Sequence, residues 1–142
     1  MTDTTPINIL IENQCSKLSS RAKGQLSYQC ATDDKSKTFI RIFANSEKGA
    51  FSNEWLELDQ IFSLMPANQT PFRSTIFVPL FSKKSANNAP FLSAILRHLG
   101  LITQLDGFPS YSKRGSDMAL SHQLKLVKDN PALISQKEPL AK

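Results

Sequence analysis

Histidine, cysteine and glycine are all scarce in this chain, and each scarcity removes a class of chemistry. Its 142 residues include two histidines, His98 and His122, and two cysteines, Cys15 and Cys30. Neither histidine has a second His or Cys at metal-ligand spacing, so a zinc site would have to be gathered from distant residues; no metal is expected. The cysteines lack CxxC spacing and the density of a disulfide-stapled secreted domain, and both are read as reduced thiols. Five glycines stand isolated at 24, 49, 100, 107 and 115, which excludes the Walker and dinucleotide phosphate loops and leaves no cofactor expected. A Cys30–His98 pair can be drawn, but Cys30 falls on the inward side of a strand and is better read as core. Asp33 and Asp34 are simplest as turn formers. No catalytic residue is assigned, and an enzyme ranks behind two binding readings.

Long apolar runs are also missing. No stretch approaches the roughly 18 apolar residues a membrane-spanning helix needs, and Met1–Pro6 is polar, without the charged start and apolar run of a secretory signal. The expectation is a soluble cytoplasmic protein with no membrane contact.

What the chain does have is a hydrophobic content of 40%, with nine Phe, enough for one core. A single α+β domain over residues 1–128 is expected. Residues 129–142, with Pro131, Pro139 and little apolar material, are expected to form a disordered tail. The net charge of +5 is unevenly placed: residues 1–59 carry 7 basic against 8 acidic residues, and residues 60–142 carry 10 against 4. No acid lies between Asp59 and Asp106, a stretch that holds Arg73, Lys83, Lys84 and Arg97. A local positive potential follows, suited to polyanions.

Ile7–Ile11 is a β-branched run and reads as a strand, followed by a polar loop over Asn13–Gly24. Alternation over Gln25–Cys30 puts Leu26, Tyr28 and Cys30 on one face. After the turn cluster TDDKSK, Thr38–Ala44 pairs back as a hairpin, and Phe51–Leu58 is taken as a further strand, although Trp55, Leu58 and Phe62 also fit helical spacing. A short helix from Asp59, its N-cap, to Met65 stops at Pro66. Ser74 caps a helix to about Phe81, against which Pro79 argues. The clearest helix is Ala89–Leu99: Asn87 or Asn88 as cap, Pro90 in the first turn, an apolar stripe of Phe91, Leu92, Ile95, Leu96 and Leu99, and Gly100 as terminator. Asp106-Gly107 predicts a hairpin with Pro109 on an edge strand. Ser116 caps a last helix to Lys128. The architecture expected is a small antiparallel sheet of three to four strands from the N-terminal half, covered by helices from the C-terminal half.

Helix, polar loop, helix ending in Leu99-Gly100-Leu101-Ile102, then a hairpin turning at Asp106-Gly107: this order over residues 74–112 resembles winged-helix DNA-binding domains. The resemblance implies that the Ala89–Leu99 helix approaches a groove with Arg97 and His98 on or near it. Lys83 and Lys84 in the preceding turn, and Lys113 and Arg114 after the wing, would then meet the phosphate backbone. Few groups on that helix suit base readout, so non-specific phosphate contact fits better. Phe39, Arg41 and Phe43 on one strand, with Tyr28 alongside, would suit base stacking, but Phe39 and Phe43 are expected to be the core face instead. The functional expectation is a non-enzymatic binding module for DNA or RNA, through a basic face of Arg73, Lys83, Lys84, Arg97, His98, Lys113 and Arg114. The alternative is a regulatory or scaffold protein that binds an acidic protein or itself.

Overall fold

Residues 7–18, 24–116 and 118–129 are described by the computed structural model. It shows an α+β fold of two antiparallel sheets and four helical segments. Strands β1 (Ile7–Ser16), β2 (Gln25–Asp33) and β3 (Thr38–Asn45) form a meander completed by the short β4 (Leu56–Glu57), in the order β1-β2-β3-β4. Asp33 closes the β2–β3 turn: its carboxylate accepts the Lys35 and Lys37 N–H groups at 2.9 and 2.8 Å. Such side-chain-to-backbone bonds are why polar clusters make turns.

One row, Ile11↔Cys30↔Ile40↔Leu56, crosses all four strands and is buried throughout. The neighbouring row runs Glu12↔Gln29↔Arg41 on the opposite face, where Gln29 donates to Glu12 at 2.7 Å and Arg41 donates to Gln29 at 2.9 Å. This register corrects the expected core face of β3. Ile40 and Ile42 point inward and Phe43 is exposed, while Phe39 is half-buried on the face of Arg41. Tyr28 pairs with Ile42 and is core, so it does not share a face with Arg41. A buried guanidinium without an ion partner is costly, and Arg41 therefore decides which side faces water.

Two other boundaries move. β1 continues to Ser16 where a loop was expected from Asn13, because Asn13–Ser16 pair with Tyr28–Gln25 and Cys15 is buried opposite Leu26. The remainder of that expected loop, residues 19–23, and the expected tail from residue 130 onward lie outside the described residues. Of the strand expected over Phe51–Leu58, only Leu56–Glu57 pairs.

Helix α1 (Leu58–Leu64) buries Leu58 and Ile61. Its N-cap is Glu57, with no side-chain cap bond, and the expected cap Asp59 sits in the first turn, where the helix dipole favours it. Ser74–Leu80 is a 3-10 helix that begins after Arg73 and lacks a Ser74 cap; the tighter winding accommodates Pro79 in place of the expected α-helix. Helix α2 (Asn88–Leu99) packs on β1, β2, β3 and the 3-10 helix with the expected stripe buried. Gly100 ends it at φ 83°, with its N–H on the Arg97 carbonyl and the Leu101 N–H on that of Leu96. Helix α3 (Ala119–Asp129) lays Leu120, Leu124 and Val127 into the core beside β1. It starts later than the expected Ser116, whose N–H is instead taken by the Gly100 carbonyl at 2.9 Å.

The second sheet has the order β5-β7-β6, with β5 Phe72–Arg73, β6 Ile102–Leu105 and β7 Phe108–Arg114. The hairpin turns at Asp106-Gly107 as its sequence predicts, with Gly107 at φ 80°. Asp106 is not among the positive-φ residues, so the turn is not the doubly left-handed type that matches strand twist. The register jumps at once, from Leu105↔Phe108 to Gln104↔Ser112, leaving Pro109–Tyr111 bulged out of the β6 ladder. Pro109 therefore lies on the central strand, not an edge one, and the bulge spares it a ladder bond.

Candidate functional site

Seven side chains were singled out as a basic face, and the fold places them in five different settings. Arg97, in the last turn of α2, is turned onto the hairpin. Its Nε–H meets the Ser112 hydroxyl at 3.0 Å, Nη1 meets Gln104 Oε1 at 3.3 Å, and Nη2 meets the carbonyls of Pro109 and Tyr111 at 2.9 and 3.1 Å. Four of the five guanidinium N–H groups thus hold the bulge, and none of their acceptors is a carboxylate. Arg114, at the end of β7, donates to the carbonyls of Pro66, Phe62 and Met65 at 2.8, 3.3 and 3.3 Å, at the C-terminal end of α1.

Lys83 and Lys84 are exposed on the loop before α2. This loop is zipped to residues 50–54. Asn88, 3% exposed, accepts the Ser52 N–H at 2.7 Å and donates to the Lys83 carbonyl at 2.8 Å. Glu54 accepts the N–H and hydroxyl of Ser82, the Lys83 N–H and the Ser52 hydroxyl. Burial alone would raise the Glu54 carboxyl, yet those hydrogen bonds outweigh it and hold the group below its ordinary value. An acid from the first half of the chain therefore holds the loop that carries the two lysines.

His98 follows Arg97 on α2 but points elsewhere: its Nδ1 lies 2.8 Å from the hydroxyl of the buried Tyr28.

The remaining two, Arg73 and Lys113, share one face of the second sheet. Arg73 pairs with Tyr111 across β5 and β7, and Lys113 is two residues beyond Tyr111, with the buried Ser112 turned the other way between them. The Arg73 guanidinium lies 5.6 Å from the Tyr111 ring centroid, and Phe108 meets that ring edge-on at 6.4 Å. Phe108 is 58% exposed and Tyr111 37%. The basic residues here were singled out from the sequence and the two aromatic ones were not. A signal was present: F-P-S-Y-S-K-R after Asp-Gly spaces rings and cations along one strand.

The first sheet carries a second group of rings and cation on its outer face. Arg41 lies 4.5 Å from the Trp55 ring centroid and 5.2 Å from that of Phe43, and burial lowers its affinity for its proton. Gln29 links Arg41 to Glu12, so a carboxylate sits on that surface.

Among the described residues no group of three or more His, Cys, Asp or Glu is placed to hold a metal ion, and no helix is long and apolar enough to cross a membrane. Comparison with protein-family models, with curated proteins and with solved structures finds no match.

Proposed function

We propose that the chain is a non-enzymatic binding module that takes single-stranded nucleic acid on the outer face of the β5-β7-β6 sheet. The observation that carries this reading is the stacked Arg73–Tyr111 pair with the exposed Phe108 edge beside it and Lys113 on the same face. Aromatic rings offer base-stacking surface regardless of sequence, and adjacent cations meet the phosphates. Exposed large rings clustered on one strand of a small domain also leave apolar area that a partner would cover. The corresponding platform around Arg41 is less suited, because Glu12 offsets its charge. Helix α2 is not used as a groove reader in this proposal: nine of its residues, from Asn88 to Leu99, are buried. Lys83 and Lys84 add long-range attraction.

Polarisation of a labelled single-stranded oligonucleotide, titrated across a range of salt, tests the proposal, with duplex of the same sequence alongside. Single strand is expected to bind more tightly than duplex. Replacing both Phe108 and Tyr111 by Ala should weaken binding by about 30-fold or more, since each of two stacked bases contributes roughly 1–3 kcal/mol. Arg73→Ala and Lys113→Ala should each flatten the plot of log affinity against log salt by about 0.7. Absence of salt-dependent binding to either strand form at low salt would sink it and leave an acidic protein partner or self-association.

A further inference from the structure

We propose that the cleft between the end of β1 and the last turns of α2 is a binding site for an oxyanion, the phosphate or carboxylate of a small ligand. This cleft has a volume of about 340 Å³ and its walls include Cys15, Lys17, Ala94, Arg97, His98 and Gln104. Its size is at the lower end for small-molecule sites. Among the described residues no carboxylate lines it, whereas a lysine, an arginine and a histidine do. Its apolar share, Leu18 and Ala94 with the Cys15 thiol, suits the stem of such a ligand.

Three side chains give this space its character. Lys17 lines the cleft, its Nζ lies 5.5 Å from the Phe91 ring centroid, and among the described residues it has no ion-pair partner. Arg97 spends its hydrogen bonds on neutral oxygens, so its charge is not cancelled where it lines the cleft. His98 is held by the buried Tyr28 hydroxyl, which lies 2.8 Å from its Nδ1. Burial keeps that hydroxyl protonated, and when it donates to Nδ1 the neutral ring carries its proton on Nε2, the donor His98 can then offer a ligand. The C-terminal end of a helix ordinarily repels anions. Here the Leu96 and Arg97 carbonyls already accept the N–H groups of Leu101 and Gly100, and the full charges of Lys17 and Arg97 exceed that partial charge.

The site shares no ring with the hairpin platform, so either reading stands without the other. The test follows the imidazole Cε1–H resonances of the full chain by NMR while inorganic phosphate is titrated, with acetate and a nucleoside 5′-monophosphate as further arms. His122, on α3, serves as internal reference. Support is a saturable shift of His98 alone, weakened about tenfold in Lys17→Ala, the equivalent of one charge-assisted hydrogen bond, and retained in Tyr111→Ala. Whichever of phosphate and acetate saturates at lower concentration names the ligand class. The proposal is overturned if His98 and His122 move in parallel without saturation for every anion. It is overturned equally if Lys17→Ala, shown folded by its amide spectrum, titrates like the parent chain.

Discussion

The Nη2 of Arg97 lies 2.9 Å from the carbonyl oxygen of Pro109, so a helix side chain supplies the partner that a break in strand pairing removes. Pro109 is exposed, so water could serve its carbonyl instead, but the same guanidinium also reaches Tyr111, Ser112 and Gln104 and ties the strand together around the break. A single ammonium cannot span that set. Arg97→Lys is therefore expected to lose about 1–2 kcal/mol of stability, most of the loss from neutral hydrogen bonds at a partly wet site. Urea unfolding measures the total, and hydrogen exchange at Gln104 and Ser112 localises it. A lysine variant as stable as the parent, with hairpin protection unchanged, would show the contacts to be incidental.

Arg114 does for α1 what Arg97 does for the hairpin. Three carbonyls at the end of a helix of seven residues converge on its guanidinium. Arg114→Ala is expected to cost about 1–2 kcal/mol, with faster exchange in α1 than elsewhere. Arg114→Lys should recover part of this, because a cation still suits a helix C-terminus. Uniform loss of protection across both sheets would instead mean that the residue holds the whole core.

Much of this fold is legible in the residues, and the illegible parts share a cause. The β2–β3 hairpin, α2 with its Gly100 stop and the turn at Asp106-Gly107 are local: alternation, caps and left-handed glycine act within a few residues. Thr38–Ala44 is apolar on both faces, so alternation alone could not orient it; the charge of Arg41 could, and Ile40 and Ile42 are accordingly inside. β1 hides its last residues because Asn13, Gln14 and Ser16 are polar, although Cys15 between them is core. The roles of Arg97 and Arg114 were illegible for a different reason. Their acceptors are mainly backbone carbonyls brought near by tertiary packing, and no residue type announces them. Counting cations locates charge along the chain but not the oxygens that receive its N–H groups.

Glu54 should make the chain acid-sensitive. Its folded affinity for a proton is depressed below an ordinary value near 4.5 by the bonds from Ser52, Ser82 and Lys83. For a depressed carboxyl the unfolded chain binds more protons, so the stabilisation is present above about 4.5 and is lost as pH falls through the lower folded value. In Glu54→Gln that portion of the pH dependence should vanish while the loop 82–88 loosens at neutral pH. Urea midpoints taken down the acid range compare the two chains. Parallel curves would mean that the carboxylate is not what clamps the loop.

The alkaline side depends on Cys15. Burial pushes its thiol from an ordinary 9.0 up to about 11, and the same cause raises Cys30 and Tyr28 further inside. The sign is opposite to that of Glu54: between about 9 and about 11 the folded chain keeps a proton that the unfolded chain releases, so stability falls as pH rises through this window. Cys15→Ala removes the titration, and its urea midpoint should decline less steeply than the parent's over the same interval, even if its neutral-pH midpoint is lower through lost packing. Thiol labelling gives the independent check. At neutral pH Cys15 should react slowly despite lining a cleft, because so little thiolate is present, and the rate should climb with pH toward about 11. Rapid labelling at neutral pH would place the Cys15 sulfur in a wetter or more cationic setting than its 5% exposure implies.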